Sequence, residues 1–430
     1  MTTDNRQQPP EPPQYAGRTG LISWALFDWA NSAFVTVIQT FIFSAYFTRR
    51  IAFSETAGSN LWGNAVGLAG LVVAVGGPVL GAIADQSGNR KPWILFFTLV
   101  CVLCTALLWF MKPDSAYALP ALVLVGIAII AFEYAAIFYN AMLPDLSPPD
   151  HTGRWSGWGW GLGYAGGLCC LALALVLFVN GENAVFDLSE STGANVRATF
   201  LLTAAWFLIF SLPLFFITPD RKHIKTDRMT AVKKGLRQIR DSLRQIRRYA
   251  NIIRFLIARM IFIDGLATVF SFGGIYAATV FDMNEKEVLL FGIGLNASAG
   301  FGAGIFAFLD DRVGARKTIL VSLVGLIGAG LLILTTGNVL LFWIFSLTLG
   351  IFVGPCQASS RSYMARAAPA ELRNQMFGLF ALSGKATAFL GPLLVGWLTW
   401  LTGSQRLGMS VIIVFFTAGF LLMLTVREDR

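Results

Sequence analysis

The sequence DQSGNRK at residues 85–91 returns as DRVGARK at residues 311–317. Both fit D-x-x-G-x-R-K, and each joins one hydrophobic run to the next, so each reads as a short turn between two apolar helices. Gly88 and Gly314 permit the tight turn. Asp85 and Asp311 are placed to cap helices or to pair with neighbouring cations, Arg90 and Lys91 in the first copy, Arg312, Arg316 and Lys317 in the second. Contacts of this kind at the rim of a helix bundle can hold one conformation and break in another, which makes these residues the expected gating turns.

Two further echoes accompany the turns. FDWANSAF (27–34) and IDGLATVF (263–270) align Asp28 with Asp264, Ser32 with Thr268 and Phe34 with Phe270, at an offset of 236. Arg154 and Gly159 recur as Arg373 and Gly378, at an offset of 219. Three matches in the same order indicate a chain built from two related halves.

The composition says where such a chain lives. Of 430 residues, 55% are hydrophobic and 13% charged, against about 25% charged in a soluble domain. Apolar runs long enough to cross a hydrocarbon core of ~30 Å recur along the chain. They fall near 21–47, 61–84, 93–111, 118–143, 156–179, 198–217, 252–281, 288–309, 318–336, 339–364, 375–402 and 407–426. The expected fold is all-α and membrane-embedded: twelve transmembrane helices in two pseudo-symmetric six-helix bundles, 21–217 and 252–426. Residues 1–20 read as a disordered cytoplasmic amino terminus without a cleavable signal, and 427–430 as a short tail.

Between the halves lies a basic linker, 218–251. Within it KKGLRQIRDSLRQIRR sets Leu236, Ile239, Leu243 and Ile246 on one helical face, a pattern suited to the interface of a leaflet rich in anionic lipid. The net charge of +9 is a topology signal rather than a nucleic-acid footprint. With both termini cytoplasmic, 25 of the 33 Lys and Arg fall on the inner side, Arg361, Arg366 and Arg373 among them. A plasma membrane is expected rather than an organelle.

Several chemistries are disfavoured. His151 and His223 are far apart and the Cys101/Cys104 pair sits inside an apolar run, so neither a metal nor another cofactor is expected. The stretch SGKAT (383–387) lacks the leading Gly and the final Ser/Thr of a phosphate loop, which leaves ATP-driven transport unsupported. The alternating glycines of 157–167 suit close helix packing. Gly354-Pro355 and Gly391-Pro392 offer breaks in spans ten and eleven.

The turns resemble the signature of the major facilitator superfamily, roughly G-x-x-x-D-R-x-G-R-R. Gly81, Asp85, Gly88, Arg90 and Lys91 fit, with Gln86 in place of the first Arg; in the second copy Ala307 replaces the leading Gly. WALFDWANSAF (24–34), YNAMLPDL (139–146), RWSGWGWGLGYAGG (154–167), ARMIFIDG (258–265), PCQASSRSYMARAAP (355–369) and FGLFALSGKATAFLGP (377–392) are similar to the autophagy-related vacuolar effluxer family and its bacterial relatives. The resemblance implies two six-helix bundles and, for the fungal members, export of amino acids from the vacuole.

Ionisable groups at membrane depth are costly and mark function. Asp28 carries Ser32 and Gln39 on nearly the same face, with Asn31 beside it. Glu133 has Asn140 two turns on, and Asp264 has Thr268 one turn on. Arg259 and Lys385 are the cations within spans, and Gln357 lies by the expected break in span ten. These are the candidates for binding solute or carrying a proton or cation. The expected function is alternating-access transport of a small polar solute, amino acids among the candidates, by a monomer. The alternative is a receptor or sensor that kept the fold without transport; an enzyme is not expected.

Overall fold

The computed structural model describes residues 15–179, 185–186, 188–222, 224, 228–244 and 246–427. The expected disorder of the amino terminus, His223 and the extreme carboxyl end therefore fall mostly outside the described residues. Among the described residues eleven helices are long and apolar enough to cross a bilayer. In order they are Arg18–Ile51, Glu55–Asp85, Lys91–Phe110, Ser115–Leu146, Pro149–Val179, Ala194–Phe216, Ala250–Phe281, Lys286–Val313, Ala315–Thr335, Val339–Ala367 and, as span twelve, Gln405–Leu424. Span eleven is the exception. It consists of Arg373–Ser383 and Leu390–Thr402, separated by irregular turns at 384–389. Among the described residues the spans bring the linker, Ala16 and Arg427 to one side, called here the linker end; the opposite side is the distal end.

Each span sorts its residues by partner. Spans two and three leave Leu68, Leu71, Val75, Phe96, Leu99 and Leu103 exposed, the surface that hydrocarbon covers, while Gly70, Gly77, Gly81 and Thr98 turn inward. Small inward residues let helices approach closely where no hydrophobic effect drives them together.

The two ends of the bundle are capped by different rules. Four of the spans starting distally cap themselves: Ser54, Asn284, Asn338 and Ser404 each accept a hydrogen bond from their own first turn, whereas span six begins after Gly193 without a side-chain cap. At the linker end, spans three, five and eleven have no cap of their own. Their first N–H groups are satisfied by aspartates from elsewhere: Asp220 for span three, Asp311 for span five and Asp85 for span eleven. A cap contributes about 0.5–2 kcal/mol, so this stabilisation is tied to tertiary contact at one end only.

Two expected breaks resolve differently. Span ten runs unbroken through Pro355, while span eleven is interrupted just before Gly391-Pro392, where Pro392 enters the first turn of the resumed helix. Proline is tolerated there because that turn has no i−4 carbonyl to answer. Span one also departs from a plain α-helix, with π-helical turns at Phe34–Phe41 and Phe47–Ile51.

The linker helix, Arg228–Arg244, packs on span two, where Gly235 lies against Ile83. Ala231 is buried; Leu236, on the face expected to meet lipid, is exposed, and the side chains of Leu243 and Ile246 lie outside the described residues.

Candidate functional site

The paired turns are the first part of the site. Gly88 and Gly314 adopt φ of 80° and 96°, the left-handed region that favours glycine. Asp85 accepts 3.0 Å hydrogen bonds from the backbone N–H groups of Asn374 and Gln375, and Asp311 accepts one of 3.1 Å from that of Arg154. Each half thus caps the fifth helix of the other. The geometry pairs Arg154 with Gln375, an offset of 221 rather than the 219 drawn from Arg154 and Arg373. Gly157 and Gly378 are then the equivalent close-packed positions, on Ala303 and Gly77 respectively.

Charged groups reinforce both caps. Arg90 reaches Asn374 Oδ1 (2.8 Å) and Asp145 Oδ2 (2.6 Å), and Asp145 also receives Arg221 and Arg373. Burial pushes the Arg90 guanidinium below its ordinary range, against the opposing pull of Asp145. On the other seam Arg366 holds Asp310 at 2.6 Å and Asp311 at 3.4 Å, and Arg154 lies 3.4 Å from Asp311. Lys91 donates to the Phe215 carbonyl and Arg316 to that of Leu424; Arg312 and Lys317 are exposed.

Deeper in, the organising residue is one that sequence reading assigned to the inner loops. Arg361 belongs to span ten and is 2% exposed. It pairs with Asp28 at 2.8 Å, and donates to Asn140 Oδ1 at 3.2 Å and to Ser156 Oγ and O at 2.9 and 2.6 Å. The rings of Trp24, Tyr139 and Trp160 stand 5.0–5.8 Å from the guanidinium carbon. Gly159 makes room: a methyl group there would lie 2.6 Å from Asp28 and 2.7 Å from Arg361. Counting positive charge by loop hid this residue, because an arginine six positions before a helix end scores the same whichever way it points. A usable signal was the 221 offset, which puts Arg361 at the place of Asn140.

The companions expected for Asp28 scatter. Asn31 is buried, and the Ser32 hydroxyl donates to it at 3.4 Å. Gln39 does not share the Asp28 face in the way an α-helix would arrange, since the π-helical turn intervenes and each such turn takes an extra residue. Its Nε2 is buried without a partner among the described residues.

At mid-membrane Lys385 pairs with Glu133 at 2.7 Å, joining the irregular segment of span eleven to span four. Their side chains are 32% and 16% exposed, so the protein does not seal this pair. Arg259 instead serves the inner stub of span eleven, donating to Phe380 O and Ser383 Oγ, each at 2.7 Å, and lying over the Phe380 ring. Asp264 is buried beside Thr387, and the Thr268 hydroxyl donates to the Asp264 backbone carbonyl. Gln357 meets the Tyr164 hydroxyl across the seam between spans ten and five.

Along span two, Gly77, Gly70 and Gly63 recur every seven residues on one face. A methyl group at Gly77 would be 3.3 Å from the Gly378 carbonyl, one at Gly70 would be 4.0 Å from Lys385 Cβ, and one at Gly63 would meet nothing within 4 Å. Spans two and eleven therefore touch at the linker end and part toward the distal end, over about 21 Å of helix.

Comparison with known proteins agrees with this architecture. The family model described as "Vacuole effluxer Atg22 like" matches residues 150–430, and that of the Major Facilitator Superfamily matches residues 3–169. An uncharacterized MFS-type transporter, YxiO, of Bacillus subtilis (strain 168) is 28% identical over 412 residues, covering 95% of this chain and 94% of its own length. Autophagy-related protein 22 of Kluyveromyces lactis is 24% identical over 377 residues, covering 80% of this chain and 74% of its own. The crystal structure of the major facilitator transporter FucP in the outward conformation superposes with a TM-score of 0.73 at 12% identity, covering 96% of this chain and 99% of that one.

Proposed function

The chain belongs to the Atg22-like family of the major facilitator superfamily and is a multi-pass membrane transporter, and we propose that it moves a small zwitterionic solute, an amino acid, by proton-coupled alternating access. The observation that carries the reading is the pair Lys385–Glu133 at the floor of the parting between spans two and eleven. A zwitterion offers a carboxylate to Lys385 and an ammonium to Glu133, so it replaces an existing ion pair without leaving either charge bare. A neutral sugar has no such exchange to make.

In this reading the linker end faces the cytoplasm, where the excess of Lys and Arg holds it, and the membrane is the plasma membrane. The sealed linker end and the parted distal end form one of the two access states. The other requires release of Asp85 and Asp311 from the helix ends they cap. Both bundles then rock about the central pairs, and the gradient that drives the cycle sets its direction. Anionic lipid at the basic linker helix is part of the same reading.

The experiment is uptake of labelled amino acids into proteoliposomes, with an imposed pH gradient. Saturable uptake, competed by other zwitterions and not by sugars, is expected. Absence of flux for every amino acid tested, with binding of an uncharged solute instead, overturns the assignment.

A further inference from the structure

Spans one and seven carry equivalent carboxylates, Asp28 and Asp264, and the structure gives them opposite surroundings. Asp28 is neutralised by Arg361 across the seam. Arg361 occupies the repeat position of Asn140, 221 residues earlier, so the second half supplies an arginine where the first supplies a neutral amide. Applying the same relationship to Asp264 offers it no cation.

The geometry bears this out. Asp264 is 1% exposed, and among the described residues it makes no ion pair. Among the described residues the one side chain that faces its carboxyl as a hydrogen-bond partner is the neutral hydroxyl of Thr387, and its Oδ1 is left without a close partner. The cations of spans seven and eleven are committed elsewhere: Arg259 to Phe380 and Ser383, Lys385 to Glu133. Span twelve contributes Phe415 and Phe416 against Gly265, and the Cys356 thiol of span ten lies by Arg259. An ionised carboxylate so placed is an uncompensated charge in a low dielectric, and such groups neutralise instead.

We propose that Asp264 is the proton site of the transport cycle, protonated while the linker end is sealed and emptied when the irregular segment of span eleven moves. On release, the proton passes from the Asp264 carboxyl to water entering the opened cleft and leaves a carboxylate behind. That carboxylate competes for the Lys385 ammonium, two residues before Thr387 on the same segment. Lys385 is thereby drawn from Glu133, the deepest ion pair joining the halves. Loading the proton restores the Lys385–Glu133 pair. The device belongs to the proton-coupled reading above and assigns its coupling group, leaving Asp28 and Glu133 as charge partners.

Infrared difference spectroscopy on purified protein near neutral pH tests the site without any solute. A protonated-carboxyl stretch is expected in wild type, absent in Asp264→Asn, and retained in Asp28→Asn and Glu133→Gln. Should Asp264→Asn fail to fold, Asp264→Glu takes its place, with the band kept but shifted in frequency. A wild type without the band, a band that persists in Asp264→Asn, or one unmoved in Asp264→Glu overturns the proposal. So does its disappearance on adding Na⁺, which would make the ligand a metal cation.

Flux forms the second arm. With a solute that wild type accumulates under about one pH unit, worth about a ten-fold concentration ratio at one proton per solute, Asp264→Asn is expected to lose accumulation. The conservative Asp264→Glu, which keeps an ionisable carboxyl at the site, is expected to recover part of that accumulation. Retained accumulation in Asp264→Asn also overturns the proposal. If wild type moves no zwitterion, the transport reading fails, while the infrared result still decides the proton site.

Discussion

Asp28 of span one and Arg361 of span ten form a 2.8 Å ion pair that crosses from one half of the molecule to the other. The two ends are not equally dependent on it. Arg361 keeps Ser156, Asn140 and three aromatic rings if Asp28 is neutralised, whereas Asp28 depends on the guanidinium for its countercharge.

Arg361→Gln is therefore expected to cost about 3–5 kcal/mol, the penalty for stranding a buried charge. Asp28→Asn should cost much less. The double variant should unfold close to Asp28→Asn, because the stranded charge is gone. Thermal unfolding of the three variants in detergent measures this; a double variant that sums the two single losses would deny the coupling.

Lys385 and Glu133 should govern affinity rather than folding. Each alanine variant is expected to weaken solute uptake by about ten- to a hundred-fold, the worth of one charged hydrogen bond. The swapped double, Glu133→Lys with Lys385→Glu, should regain part of the loss, since a zwitterion can bind in reverse. Concentration dependence of uptake separates this from a general loss of activity.

The crossed caps predict a shift of state. Asp85→Ala and Asp311→Ala each remove about 1 kcal/mol from the sealed linker end while leaving the transmembrane cores intact. A cysteine placed at Ser156, buried in the seam, should react faster with a reagent applied from the linker side in either variant. The background is one in which the five native cysteines are replaced. Equal labelling rates would mean the caps do not hold the gate.

Span two offers a graded series. Gly81→Ala would drive a methyl group into the Asn374 carbonyl and wedge the linker end apart, whereas Gly63→Ala meets open space. The first is expected to speed the same labelling and lower distal access. The second should fall within about 0.5 kcal/mol of wild type. A response from Gly63→Ala would contradict the divergence of spans two and eleven.

Much of the fold was legible because membrane burial writes itself in length and charge. Apolar runs located the spans, and the duplicated D-x-x-G-x-R-K turns exposed the two halves. What escaped depended on direction rather than composition. Arg361 looked like a loop cation because its neighbours Ser359, Ser360 and Ser362 are small and polar, and nothing in the local pattern says that they open a slot for it. Gln39 was misplaced by a π-helical turn that no residue type announces. The interruption of span eleven was expected at Gly391-Pro392, yet the helix gives way just before it, where Gly384 and Lys385 face partners on other spans. The capping role of Asp85 and Asp311 was readable as chemistry, but its exchange between halves was not, since it joins residues 157 positions apart in one case and 289 and 290 in the other.

The side-chain amide of Gln238 on the linker helix donates to Asp85 at 3.3 Å and to Gln375 at 2.8 Å, and its carbonyl receives Gln86. One surface residue thus grips both sides of the seam that must separate. A nanobody or chemical staple that pins this helix in place would act as a brake on turnover, without approaching the solute's route through the membrane. Inhibitors of such a protein need not resemble anything it carries.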